Sequence, residues 1–264
     1  MTSAIGSPQA PAELFEPSIY LALTGVAVVT GFIDAIAGGG GLIMMPALLF
    51  AGVPPIQALG TNKLQSMFGT ATALRNYWRS GLVTLSGNRL TAAVVFIGAA
   101  AGCLIVQSIK VKALNLIIPS LLVASALYVL LSPRMSDDDA HHRVSAKGYA
   151  PIGGAIGFYD GFFGPGTGSF LMFIFIGLFG FDFLTASASS KVINLATNVA
   201  AVIVFAAFGL IYYEYALPMG VCNVAGAIVG TRLAMLKGNR FVRHLFLDVV
   251  TVMIARFAWE QFGK

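Results

Sequence analysis

Charge is what this sequence has least of. Lys and Arg number 16 and Asp and Glu 11 in 264 residues, ten percent in all, where a soluble domain carries about a quarter. A surface of the usual charged kind cannot be made from so few, which excludes a soluble globular domain. The cations stand singly at the ends of apolar runs and form no basic tract, so a nucleic-acid surface is excluded too. Cysteine is nearly absent. Cys103 and Cys222 each lie in an apolar run and read as small hydrophobes rather than a disulfide or metal pair. No nucleophile–base pair and no metal-ligand spacing stands out, so neither an enzyme nor a metal or other cofactor is expected. His141, His142 and His244 fall in a polar stretch or near helix ends and are assigned no chemistry. The stretch before the first apolar run holds Glu13 and Glu16 but no Lys or Arg. It lacks the basic n-region of a cleavable signal, and the first run is expected to stay in the membrane.

What the chain has instead is apolar length. Fifty-seven percent of residues are hydrophobic, and many runs approach the ~20 residues that cross a bilayer. Apolar segments fall at roughly 19–37, 41–51, 56–79, 89–109 and 112–132, then at roughly 149–163, 168–181, 184–210, 215–236 and 241–259. An all-α integral membrane protein follows, with lipid as its surroundings. Its expected organisation is a short tail over 1–17, a membrane repeat over 18–132, a polar loop over 133–148 and a second repeat over 149–264. The loop carries Asp137, Asp138, Asp139, His141 and His142. A metal cluster is conceivable there, but alternating signs on a flexible stretch favour a solvated connection.

The two halves repeat one pattern. Gly31-Phe32-Ile33-Asp34 precedes Gly38 to Gly41, and Gly157-Phe158-Tyr159-Asp160 precedes Gly164-Pro165-Gly166-Thr167-Gly168. Glycine loosens a helix and Pro46 and Pro165 remove backbone donors. Each break therefore starts a short second helix, either a re-entrant hairpin or a full crossing. Non-helical backbone at membrane depth must be buried in protein or line a wet cavity. Such breaks resemble helix-terminus anion sites. No Gly-Lys-Ser/Thr follows either, so a phosphate-cradling ATPase is excluded.

Each third helix carries a polar stripe. Lys63, Ser66 and Thr70 share one helical face, and so do Lys191, Asn194 and Asn198. Asn62 and Ser190 adjoin them, in the runs Thr61-Asn62-Lys63 and Ser189-Ser190-Lys191. Such residues also serve simply to join helices. The lysines have a bland reading as well, snorkelling to the headgroups. An ionised lysine at depth instead points into a cavity or finds a partner. No carboxylate near in sequence is an obvious mate, and an anionic substrate would serve as one. Asp34 and Asp160 are open to three roles: helix cap, salt bridge or proton carrier. Gly98 with Gly102 and Gly226 with Gly230 are small-xxx-small packing pairs. Trp78, Tyr77 and the Tyr212 to Tyr215 group fit an interfacial aromatic belt.

Placing Arg75, Arg79, Arg89, Lys237, Arg240 and Arg243 on the cytoplasmic side also puts the polar loop inside. Lys110 and Lys112 are the exceptions. Each half then makes an odd net number of crossings, so the halves are inverted relative to each other.

The run from Gly31 through Asp34 to Gly41, with Pro46 and Ala58-Leu59-Gly60-Thr61-Asn62-Lys63, resembles the sulfite exporter TauE/SafE family, also described as four-toluene-sulfonate uptake permeases. The resemblance extends from about 18 to 258 through the second copy, Gly157 to Gly168. It implies a multi-pass carrier of the bacterial inner membrane for sulfite, thiosulfate, or an organosulfonate such as sulfoacetate. Alternating access, with export as the expected direction, is the combined reading. An anion channel, an uptake permease for another small anion or a non-transporting scaffold are the alternatives. The anion is expected between the glycine runs, held by Gly38, Gly39, Gly40 and Gly41 and by Gly164, Gly166 and Thr167. Lys63, Asn62, Ser66 and Thr70 on one side and Ser190, Lys191, Asn194 and Asn198 on the other would replace its water. Lipid is the other expected partner, and a homo-oligomer stays open.

Overall fold

The computed structural model describes residues 16–83, 89–110, 112–114, 117, 120 and 146–262. Among these the regular structure is all helix, with α1 Pro17–Ala37, α2 Gly40–Phe50, α3 Pro55–Arg79 and α4 Arg89–Gln107 in the first half. The second half holds α5 Ala146–Phe162, α6 Thr167–Phe179, α7 Phe183–Ala207 and α8 Tyr213–Phe262. Gly238, at φ 68° and ψ −162°, breaks α8 into two helices, which matches the separate segments expected at 215–236 and 241–259. Most of the expected segment at 112–132, and the acidic and histidine residues at 137–142, lie outside the described residues.

Burial runs opposite to that of a water-soluble protein. Phe50 is 77% exposed and Leu236 82%, while Asn62, Gln65, Thr70, Asn194, Asn198 and Asn223 are buried. Apolar side chains outside and polar ones inside suit a lipid surround, because hydrocarbon offers polar groups no partners. Among the described residues, three helices are long and apolar enough to cross a bilayer: Pro17–Ala37, Phe183–Ala207 and Tyr213–Val242. The 25 residues of α3 also reach far enough. Its low apolarity comes from the polar face it buries. By contrast α2 has 11 residues and α6 has 13, about 16 and 20 Å at 1.5 Å per residue. Neither crosses a hydrocarbon layer of about 30 Å by itself.

The halves hold each other reciprocally. Gly98 and Gly102 of α4 meet α5, where a Cβ would stand 2.4 Å from the Gly154 carbonyl oxygen and 2.2 Å from that of Phe158. Gly226 and Gly230 of α8 meet α1 in the same manner, at 2.0 Å from the Val28 carbonyl oxygen and 2.7 Å from that of Phe32. Only glycine permits backbones this close, so both small-xxx-small pairs are packing seams. The aromatic belt is corrected in part. Trp78 and Tyr213 are exposed, but Tyr77, Tyr212 and Tyr215 are buried. The Tyr77 hydroxyl donates to the Ala35 carbonyl at 2.9 Å, and the Tyr215 ring lies 5.9 Å from that of Tyr20. Internal partners for ring and hydroxyl outweigh a place at the headgroups.

Candidate functional site

The site is built on the two helix breaks. Beyond α1 the chain turns through Gly38 at φ 70° and Gly39 at φ 85°, a region that only glycine enters cheaply. Gly164 at φ 88° and Gly166 at φ 89° do the same after α5. The two turns touch. A Cβ on Gly38 would lie 2.4 Å from the Gly168 carbonyl carbon, and one on Gly41 would lie 3.3 Å from Pro165 Cα. The glycines therefore serve close approach as much as turning.

Ending α1 in the interior leaves carbonyls without helical partners. Side chains from three helices satisfy them. Tyr77 and Ser187 hydroxyls donate to the Ala35 carbonyl and the Ser169 hydroxyl to that of Ala37, while the Lys191 ammonium donates to the Asp34 carbonyl, which also accepts from the Gly38 amide. A cation at the negative end of a helix is also favoured by the dipole. The second break is braced differently. Tyr159 donates its hydroxyl to the Pro165 carbonyl at 2.9 Å, and Thr167 its hydroxyl to that of Gly164 at 2.8 Å.

Each lysine finds a carboxylate in the opposite half, a mate that sequence proximity does not reveal. Lys63 Nζ lies 2.7 Å from Asp160 Oδ1, and Lys191 Nζ lies 3.9 Å from Asp34 Oδ2. Lys63 is 4% exposed and Lys191 0%, so snorkelling is ruled out for both. Asp34 combines two of its expected roles, since Oδ1 also accepts from the Gly40 amide at 3.3 Å and caps α2. Asp160 is in the salt bridge, and its Oδ2 meets no donor among the described residues.

Between these pairs lies a polar cavity of about 30 Å³, room for about two waters. Lys63, Asn62 and Ser66 line it from α3, and Asn194 and Asn198 from α7. Gly39 and Gly41 face it from the first break, and Gly164, Gly166 and Thr167 from the second. Asp34, Asp160 and Gly168 complete the wall. The remaining candidates are placed elsewhere. Gly38 abuts Gly168, and Gly40 packs on the Thr30 carbonyl. Ser190 donates to the Ser187 carbonyl within its own helix. Thr70 accepts from Asn198 Nδ2 at 3.4 Å, and Lys191 caps α1. Gln65 and Asn223 were missed. Asn223 donates to Gln65 Oε1 at 2.9 Å, and Gln65 donates to Asn62 Oδ1 at 3.0 Å and to the Ser66 hydroxyl at 2.9 Å. This relay fixes Asn62 and Ser66 on the wall. Gln65, three residues from Asn62 on a helix with a polar stripe, was the readable signal.

The site is thus a small polar space in an apolar protein, with one ammonium on its wall and two helix N-termini beside it. Known proteins agree with that setting. The chain is 38% identical over 252 residues to the probable membrane transporter protein YfcA of Escherichia coli strain K12, covering 95% of this chain and 94% of that one. It is 45% identical over 230 residues to the probable membrane transporter protein ORF9 of a Sinorhizobium species, covering 87% and 88%. A probable membrane transporter protein of Haemophilus influenzae is 39% identical over 237 residues, covering 89% and 93%. No solved structure matches. The family model for the sulfite exporter TauE/SafE matches residues 23–257, and with the apolar exterior and paired helix breaks this places the chain in that family of multi-pass membrane transporters.

Proposed function

We propose that the protein is a secondary transporter for a small sulfur-containing anion, such as sulfite, thiosulfate or sulfoacetate. It exports the anion by alternating access between two inverted repeats. The observation that carries this reading is the buried Lys63 ammonium on the wall of a polar cavity where two helix breaks meet. Taking an oxyanion out of water requires several donors and a cation together. Lys63, the Asn62, Asn194 and Asn198 amides, the Ser66 hydroxyl and the backbone amides at the starts of α2 and α6 provide them. An inside-negative potential favours outward movement of an anion. The family's description as a sulfite exporter supports the substrate class.

The test is flux in liposomes holding the purified protein, with sulfite, thiosulfate and chloride compared. A carrier saturates and is stimulated by substrate on the far side. An anion channel does neither, and a scaffold passes nothing. Sulfite and thiosulfate fluxes no greater than those of empty liposomes would refute the transport reading.

A further inference from the structure

We propose that Asp160 is a proton site coupled to the anion, taking up one proton as the anion replaces its carboxylate on Lys63. This rests on the transport reading above and names the ion that travels with the substrate. Three observations lead to it. Asp160 Oδ1 already holds the position an oxyanion needs, 2.7 Å from Lys63 Nζ. Asp160 lines the same cavity as Lys63, so an anion that reaches Lys63 Nζ meets this carboxylate there. Asp160 Oδ2, in a side chain 2% exposed, has no donor among the described residues.

Two negative groups cannot share one buried ammonium without one of them gaining a proton. Asp160 is the group positioned to do so. The titratable groups around it are Lys63 on α3, Cys103 on α4 and Asp34 across the cavity, with Lys191 committed to the end of α1. The Cys103 thiol donates to the Gly161 carbonyl. Asp34 shares its carboxylate between the Gly40 amide and Lys191. Asp160 is left with the free oxygen. The proton enters from the side that supplies the anion and leaves Oδ2 on the other side, when Oδ1 returns to Lys63. No bond other than O–H is made or broken. A dianion moving with one proton still carries one net negative charge, so an inside-negative potential still drives export.

Two measurements test this. Infrared difference spectroscopy of the purified protein on adding thiosulfate at constant pH looks for the carbonyl stretch of a protonated carboxylic acid. The band is expected in the wild type and in Asp34→Asn, absent in Asp160→Asn, and shifted rather than lost in Asp160→Glu. Absence from the wild type, or persistence in Asp160→Asn, overturns the proton site. The second measurement drives [35S]thiosulfate, which carries no proton of its own near neutral pH, into liposomes containing a trapped pH dye. One proton per thiosulfate is expected, falling at least tenfold in Asp160→Asn while thiosulfate exchange continues. Thiosulfate entry by the wild type without acidification overturns the coupling and leaves the transport reading standing. If no anion moves, the transport reading fails and the infrared band alone decides the proton site.

Discussion

Lys63 meets Asp160 at 2.7 Å on the cavity wall, whereas Lys191, at the equivalent place in the second half, lies behind the wall and 3.9 Å from the Asp34 carboxylate. The reasons lie in the neighbours. Asp34 gives one oxygen to the Gly40 amide and is 20% exposed as a side chain, so it holds its lysine loosely. Lys191 turns to the Asp34 backbone carbonyl and becomes a helix cap. Asn62 extends the wall beside Lys63, while its counterpart Ser190 bonds within its own helix. Duplicated residues have thus separated into a cation that faces the cavity and a cation that holds the scaffold. The opposite signs of a helix end and a side chain can serve either use.

The largest effect expected from breaking this comparison is at Lys63. Lys63→Ala should reduce thiosulfate or sulfite affinity by about 100-fold or more, within the loss seen when one side of a buried charged contact is removed. It should also destabilise the fold by about 3–5 kcal/mol, because Asp160 is left as an unpaired buried charge. The two effects separate in the double variant Lys63→Met with Asp160→Leu. Thermal unfolding in detergent should return toward the wild type while calorimetric binding stays lost. A double variant that binds as the wild type does would remove the pair from the site.

Lys191→Ala is the sharper half of the comparison. Asp34 keeps its bond to Gly40 and some exposure, so the stability loss should be about 1–3 kcal/mol, and affinity should stay within about threefold of wild type. A folded Lys191→Ala protein that binds as poorly as Lys63→Ala would erase the proposed division of labour.

The glycine contacts give an intermediate effect. Gly38→Ala adds a Cβ 2.4 Å from the Gly168 carbonyl carbon at a residue with φ 70°. The backbone strain alone costs about 1–2 kcal/mol, and the clash pushes the two breaks apart. Gly25, on α1, has nothing within 4 Å of a built Cβ, so Gly25→Ala should be neutral or stabilising by up to about 1 kcal/mol. Monodisperse yield and melting temperature for the two variants compare a glycine needed for contact with one that is not.

Much of this architecture was legible because it is local. Apolar length, the glycine breaks and the shared face of Lys63, Ser66 and Thr70 are all set by neighbours within a few turns. The small-xxx-small pairs announced close packing, though not that α4 would meet α5 and α8 would meet α1. Pairing across halves was not legible. Helical period shows which residues share a face, but not which distant face it will meet, so Asp160 could not be assigned to Lys63. The separate fates of Lys63 and Lys191 were hidden for the same reason. Both sequences read alike, and the difference arises from where the Asp34 carboxylate spends its bonds. Tyr77 misled because a ring with a hydroxyl suits an interface as well as it suits an orphan carbonyl at the end of α1.

The smallest expected effect lies where the halves are most alike. Thr70 and Asn198 occupy equivalent stripe positions and touch each other, Asn198 Nδ2 donating to Thr70 Oγ1 at 3.4 Å. That distance is long for an N–H···O bond. Thr70→Val keeps the β-branched shape and removes only the acceptor. Asn198 also lines the cavity, where water can take up its amide, so the loss should be about 0.5–1.5 kcal/mol. Anion affinity should change by less than about threefold. Chemical or thermal unfolding together with thiosulfate titration reads both numbers. A stability loss above about 3 kcal/mol would mean that the halves are joined chiefly through α3 and α7, rather than through the glycine seams of α4 on α5 and α8 on α1.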